Sequence, residues 1–596
     1  MRDIWKSLKI SALTLWAAAL LGVAGAVVYS PSFNAPFLFD DNGYILTNPA
    51  IQRAAEIPTL WERLDYRKRF IGFLSFAVNY RVHGDSVFGY HAVNVAIHVA
   101  SAWAVWWLVA LLLAHPQCRG LAANPCRKLL PFSAAFLFLT HPVQTQAVTY
   151  ISQRFTSLSA LFYLTALCLY MSGRRVVPDD GHRRSRSLVF FTGALVFGLL
   201  AIFTKETALT LPVTMLLYEF CFSWGRKEGS SQEIASGRGS KALWIRTGIV
   251  VLAFLFLLMG AYIIDVPRLL IRSRANIPVE AYLFTQFQGF FTYLRLLVLP
   301  IGQNLKYDYP LSYGFWKPLT VLGFLGIAAL GGIALKIRRP QPLVSFSILW
   351  FFVHLALESS VIPIRDVISE HRLYLPSVGF YVLLVLGTAA LARTRRIFLL
   401  ALGVVILIYS GLTYQRNVVW GTGISLWADV VGKSPRDATG HINIAAEYFK
   451  KGELSSALMH LGKAVRIYET RREERFGRVE ALFGEKRSAA ALDDLEEYVF
   501  LGQQEETLCR IHGGLNLRMG RDRQAREDFD RAVVLRLHNE AFGLYAAALK
   551  ALRKGDVRGA REYLLKSREI LPISGEGLLQ YLENSVSAGK LLDERD

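Results

Sequence analysis

The chain is 596 residues long, 53% hydrophobic and only 19% charged, with a mean hydropathy of +0.31. A soluble protein of that size is less apolar, so the composition leaves a polytopic membrane protein. The net charge of +20 does not point to nucleic acid, because the basic residues form short clusters between apolar runs, as the positive-inside rule requires.

In chain order, Arg2, Lys6 and Lys9 precede an apolar run from Ile10 to Tyr29, roughly the 20 residues that a spanning helix needs. The run is long for a signal-peptide core and Ser30-Pro31-Ser32 is a weak cleavage site, so an uncleaved span with a cytoplasmic N-terminus is expected. Residues 30–90 then form an external loop that carries Phe39-Asp40-Asp41-Asn42. Two adjacent carboxylates beside a bilayer are costly to bury, so they are expected to face water, a cation or a phosphate-rich substrate. Capping of a loop helix is the bland alternative.

Further spans are expected near 91–114, 130–148, 156–172, 187–203, 207–224, 246–264, 319–335, 342–357, 373–391 and 397–414. The basic loops around Arg127-Lys128, Arg174-Arg175, Arg226-Lys227, Lys336 to Arg339 and Arg393 to Arg396 alternate on one side. That alternation makes 281–300 a re-entrant or interfacial segment and gives eleven crossings, with the C-terminus outside. The predicted membrane domain is 1–414 and the remainder, 415–596, is a soluble extracytoplasmic helical domain. Five cysteines are scattered (Cys118, Cys126, Cys168, Cys221 and Cys509) and show neither a disulfide framework nor zinc spacing.

The C-terminal domain carries a period. Gly452 and Ala457 recur as Gly520 and Ala525, 68 residues on, and as Gly555 and Ala560, 35 further. These fit tetratricopeptide positions, with Leu461, Phe529 and Leu564 on the same face as the small Ala and Pro572 closing the last pair. Gly484 with Ala489 to Ala491 marks a degenerate repeat between them.

Several polar groups fall on one external face: Asp40, Asp41, Arg67-Lys68-Arg69, His91, His141, Gln144, Gln146, Arg154, Lys205, Glu206, Arg365-Asp366 and Glu370-His371-Arg372. Ionisable groups at the ends of different helices point to a shared cavity. Carboxylates there can deprotonate an acceptor or hold a divalent cation such as Mg or Mn, with Asp40 and Asp41 as ligands, while Arg, Lys and His can hold phosphate. Lys205 and Glu206 also fit an ion pair at a helix end, and Arg67-Lys68-Arg69 a solvated or headgroup-facing patch. His98, on the stripe of His91, reads as a core histidine.

Phe39-Asp40-Asp41 with Ile45 and Asn48, Arg69 before Asn79-Tyr80, Gly89-Tyr90-His91 with Asn94 and His98, His141-Pro142 with Ala147-Val148 and Arg154, Lys205-Glu206 with Leu211-Pro212, Tyr309-Pro310-Leu311-Ser312 and Leu373-Tyr374-Leu375-Pro376-Ser377 occur in that order. Together with the repeats, this order resembles the transmembrane and tetratricopeptide-repeat O-mannosyltransferase family. The resemblance implies an all-α helical membrane bundle of GT-C type with about 11 spans, followed by a tetratricopeptide-repeat solenoid. It implies a glycosyltransferase that uses a polyprenyl-phosphate-linked sugar and a protein hydroxyl acceptor on the periplasmic or lumenal side. The family's acidic pair maps onto Asp40 and Asp41, and Arg69, Arg154, His371 and Arg372 become candidates for the lipid phosphate. Two positions depart from the pattern: Phe70 replaces the Pro that follows the Arg, and Gln144-Thr145-Gln146 replaces His-Thr-Glu, removing a carboxylate.

The short repeat domain resembles bacterial relatives, implying an inner-membrane protein with a periplasmic C-terminal domain; an endoplasmic reticulum membrane protein is the alternative. The resemblance implies mannose or another hexose as the sugar. Transfer to a lipid or cell-envelope glycan is a second enzymatic reading, and a non-catalytic scaffold recruiting partners through its repeats is a third. No internal duplication of the kind that marks transporters is visible in the membrane part.

Overall fold

The computed structural model describes residues 12–52, 68–175, 181–222, 277–360, 362–364, 366–484 and 488–570. Among these residues all regular structure is helical. Counting helices of ten residues or more, the first unit contains α1 (Ala12–Val28), α2 (Phe70–His83), α3 (Val87–Leu113), α4 (Leu130–Thr140), α5 (Arg154–Arg175), α6 (Gly181–Ile202) and α7 (Leu211–Phe222). It continues with α8 (Val279–Val298), α9 (Pro318–Ile337), α10 (Pro342–Ala356), α11 (Ser377–Leu391) and α12 (Arg395–Val419). This unit runs to Thr422, past the boundary read from composition at Tyr414.

Among the described residues, four stretches are long and apolar enough to cross a bilayer: Val87–Leu113, Ile151–Arg175, Pro318–Ile337 and Arg395–Val419. With the shorter apolar helices α1, α4, α6, α10 and α11 they make the chain a multi-pass membrane protein. The apolar windows of α3 and α5 are 61% and 72% buried, whereas those of α9 and α12 are 17% and 22% buried. Thus α3 and α5 form the interior, while α9 and α12 turn leucine, isoleucine and phenylalanine outward, as lipid contact requires. The expected 246–264 crossing lies outside the described residues, as do Arg67 and Arg365.

One expectation about span geometry changes. The 130–148 span stops at Thr140, because Pro142 holds His141 extended (φ −75°, ψ 131°). The chain then proceeds through a 3₁₀ turn, Pro142–Gln144, and a single turn of helix, Thr145–Val148. Segment 281–300 is the uninterrupted helix α8 up to Val298, with no re-entrant break, which agrees with the interfacial alternative. Close approach of helix axes explains two glycines. A Cβ on Gly323 of α9 would stand 2.0 Å from the Phe287 carbonyl oxygen on α8, and one on Gly379 of α11 2.3 Å from that of Ser347 on α10.

Basic residues of two of the clusters meet helix C-termini. Arg127 donates to the Leu113 carbonyl, Arg175 to that of Leu111, and Arg174 holds the Glu219 carboxylate through both Nε (2.7 Å) and a terminal nitrogen (2.8 Å). The candidate site residues lie instead around the N-terminal ends of α2, α3, α5 and α7 and the turn before α11. All five cysteines are buried and free.

The second unit groups the residues from Gly423 onward with Lys306–Asp308. It contains α13 (Gly423–Lys433), α14 (Ala438–Lys450), α15 (Leu454–Gly484), α16 (Ser488–Arg518), α17 (Asp522–Arg553) and α18 (Val557–Ile570), each packed on its chain neighbour. Gly452, Gly520 and Gly555 sit in the turns between helices at φ 80°, 68° and 78°, the left-handed conformation that favours glycine. Ala457, Ala525 and Ala560 are buried, as are Leu461 and Leu564, while Phe529 is 38% exposed. The period therefore marks real turns. In α17, however, one helix of 32 residues continues where a repeat of paired short helices would turn again. Pro572 lies outside the described residues.

Candidate active site

The site is built on the loop after α1 and on the broken helix after α4. Phe39 has φ 50°, an uncommon conformation for a non-glycine residue. It turns the chain so that the two neighbouring carboxylates diverge: Asp40 is exposed and Asp41 is 1% exposed. Asp41 accepts the N–H of Leu38 at 3.0 Å and that of Ser152 at 2.7 Å, one on each oxygen. The N–H of Asp40 is donated to the Tyr150 hydroxyl at 3.0 Å. Burial pushes the Asp41 carboxyl up to about 7, against the opposing pull of its two N–H donors.

The segment holding that pair is itself pinned from below. Asn94 of α3 donates to the carbonyls of Val148 and Ile151 at 3.0 and 3.3 Å, and its own oxygen accepts Arg154 Nε at 2.6 Å. Arg154 is fully buried and also donates to Asn79 Oδ1 (2.8 Å) and to the carbonyls of Ser75 (3.3 Å) and Tyr90 (3.1 Å), with its guanidinium 4.4 Å from the Phe76 ring centre. Four of its five N–H donors are thus spent inside the protein. Its place is that of a positioning residue. His91 and His141 are likewise engaged: His91 Nε2 meets the Ala35 carbonyl at 3.0 Å, and His141 joins the Leu297 carbonyl (2.9 Å) to the Val143 N–H (3.1 Å). His98 is a core histidine between Tyr374 and Leu139, as expected.

Beside this loop lies a second cluster. Arg69 grips Glu206 with Nε at 3.1 Å and a terminal nitrogen at 2.5 Å, and its guanidinium stands 5.4 Å from the Phe155 ring centre. Burial would raise the Glu206 carboxyl, but Arg69 outweighs it and brings it to about 2; Glu206 in turn holds the Arg69 guanidinium above its ordinary range against burial. Lys205 does not pair with its neighbour. Its Nζ reaches Glu358 at 2.8 Å and Thr156 Oγ1 at 3.1 Å. Tyr44 lies between the carboxylate loop and this cluster, its ring 5.8 Å from that of Phe155, and it interacts electrostatically with Arg69, Asp40 and Glu206.

Lys205, Glu358, His371 and Arg372 line one cavity of about 30 Å³ with Thr156, Ser159, Tyr163, Thr207 and His354. The turn that delivers His371 and Arg372 is held by Gln146, which accepts the His371 N–H at 2.8 Å, and by Glu370, which accepts Gln303 Nε2 at 2.8 Å and the Asn304 N–H at 2.6 Å. Gln144 donates to Ser377 at 2.9 Å. Arg372 donates to Tyr282 and to the carbonyls of Val367 and Asp366, yet its Nε is buried without a partner, as is His371 Nδ1. Burial, then the charges of Lys205, Arg372 and Arg69, keep His371 well below the ordinary histidine range, so it is neutral. Glu358 was missed by sequence reasoning, because nothing near it in the chain marks it as a partner of Lys205.

Both Asp41 oxygens already accept an N–H, and among the described residues no three His, Cys, Asp or Glu side chains gather.

Protein O-mannosyl-transferase Tmtc3 of Drosophila melanogaster is 27% identical to this chain over 507 residues, covering 75% of this chain and 54% of the relative. Human protein O-mannosyl-transferase TMTC1 is 25% identical over 512 residues (76% and 55%), and human TMTC4 24% identical over 497 residues (75% and 65%). No family model matches the chain. The chain spans about half the length of the first of these curated relatives. Along three-quarters of its own length, this chain is similar to the TMTC protein O-mannosyl-transferases.

Proposed function

We propose that the protein is a membrane glycosyltransferase of GT-C type that moves a sugar, mannose or another hexose, from a polyprenyl-phosphate donor to a protein hydroxyl. The observation that carries this reading is the pairing of an exposed carboxylate on a strained turn with a cavity whose buried Arg372 Nε and His371 Nδ1 have no partner. Asp40 takes the acceptor's proton, and the freed oxygen attacks the sugar carbon bonded to phosphate. The bond to phosphate breaks, and Lys205, Arg372 and Arg69 stabilise the charge that develops on the leaving phosphate. Asp41 orients the turn. The relatives' printed names support a protein acceptor, which the helical second unit would select. The separation of the site from the basic helix C-termini supports a periplasmic or lumenal active face.

The test is transfer by purified protein in detergent from polyprenyl-phosphate mannose or glucose to acceptor polypeptide, read by intact mass. Asp40→Asn is expected to lower the rate by roughly 10²- to 10⁴-fold, the usual worth of a general base. Full activity in Asp40→Asn and in the Asp40→Asn/Asp41→Asn double variant would refute the assignment and favour a scaffold.

A further inference from the structure

Glu358 is a carboxylate inside a cavity that otherwise suits an anion. Its side chain is 17% exposed and holds Lys205 at 2.8 Å. The Tyr282 hydroxyl accepts from Arg372 at 3.2 Å and donates to the Glu358 carbonyl at 2.6 Å, which fixes Glu358 beside Arg372 as well. If the cavity only had to hold phosphate as tightly as it could, a negative charge at this point would be a defect, since like charges repel most strongly where water is scarce.

The charge balance gives it a purpose. Among the described residues, the charged side chains lining the cavity are two cations, Lys205 and Arg372, and one carboxylate, Glu358, with His371 neutral. They leave a single positive charge. A polyprenyl-phosphate sugar is a phosphodiester with one negative charge, which matches. Transfer breaks its bond between sugar and phosphate, the acceptor oxygen takes the sugar, the acceptor's proton passes to the base, and the lipid leaves as a phosphomonoester. A monoester carries about −1.5 to −2 charges at neutral pH, more than the cavity balances.

Resting on the donor class proposed above, we infer that Glu358 determines specificity between donor and product: it tunes the cavity to a phosphodiester and disfavours the phosphomonoester, so that spent lipid leaves. Lys205 and Arg372 hold either phosphate; Glu358 sets the difference between them.

The experiment uses the full chain in detergent and measures inhibition of sugar transfer by polyprenyl monophosphate, together with the KM for the donor and kcat. Glu358→Gln removes the charge and keeps the shape. It is expected to bind the monophosphate about tenfold tighter, the effect of one charge at several ångströms in a partly screened site, with the donor KM falling only about three- to fivefold because the diester carries less charge, and a lower kcat from slow product release. Glu358→Asp keeps the charge and is expected to restore the wild-type ratio of monophosphate to donor affinity, which a merely structural role would not predict. Direct binding of polyprenyl monophosphate to each variant, with thermal unfolding as the check on folding, extends the test to variants with low turnover. An unchanged or weaker monophosphate affinity in folded Glu358→Gln, or a wild-type ratio in both variants, overturns the inference. Absence of transfer from any polyprenyl-phosphate sugar by the wild-type protein would instead refute the donor class itself.

Discussion

Asparagine at position 41 is expected to act on stability before it acts on chemistry. Asp41 is buried and gives one oxygen to each of two backbone N–H groups, those of Leu38 and Ser152. An amide has a single oxygen, so one of the two N–H groups would face an NH₂ instead. Leaving a buried donor unmade costs about 1–3 kcal/mol. Asp40 is exposed, and its replacement by Asn should stay within about 0.5 kcal/mol.

A pH dependence sharpens the comparison. Burial raises the folded-state Asp41 carboxyl from 3.8 to about 7. The native state therefore binds the proton more tightly than the unfolded chain does. The resulting contribution is fully present below pH 4 and is lost as pH rises through 7, amounting to roughly 4 kcal/mol. Asp41→Asn has no such group, so its deficit against wild type should be larger at pH 5 than at pH 8. Thermal unfolding in detergent at those two pH values, alongside the transfer assay, measures both parts. Wild-type unfolding of Asp41→Asn at both pH values, with transfer abolished there and retained in Asp40→Asn, would reverse the roles given to the two carboxylates.

Arg154→Lys should lower stability by at least about 3 kcal/mol, because an ammonium cannot reproduce a planar set of donors to Asn94, Asn79, Ser75 and Tyr90; a wild-type melting point with only donor KM altered would contradict its placement. Arg69→Met leaves Glu206 without its guanidinium, so its folded-state pKa should climb from about 2. The stability from that pair is present above about pH 4.5 and lost as pH falls through 2, so the variant's deficit should shrink in acid, which unfolding at neutral and low pH would show. Gly379→Ala forces a methyl against the Ser347 carbonyl and should cost about 1–3 kcal/mol, read from unfolding in detergent.

The sequence carried the inventory of the site better than its wiring. Apolar run lengths reveal most helices, and three of the polar residues at their ends, Lys205, His371 and Arg372, line one cavity, since burying them in hydrocarbon is costly. What a linear reading misses is which charge meets which. Glu206 finds Arg69, and Lys205 finds Glu358, across 137 and 153 residues of chain. Arg69 and Arg154 look alike in sequence, yet one borders the cavity cluster and the other is a hub beneath the loop. Nor does a carboxylate doublet announce that one member will turn inward; that follows from the backbone at Phe39. In the second unit the glycine period located the turns, whereas the absence of a turn within α17 depends on an unbroken helix-forming run that the period does not register.

Lys205 is extended, with φ −155° and ψ 138°, and successive side chains of an extended segment point to opposite sides. The dipeptide at 205–206 therefore works as a two-way tether: one side chain is anchored on Arg69 and the other on Glu358, with a single peptide link between them. A shift of either anchor is transmitted to the other through a lever one residue long. The stretch before α2 and the stretch after α10 are in this way kept in register, although no helix connects them and they are distant in the chain.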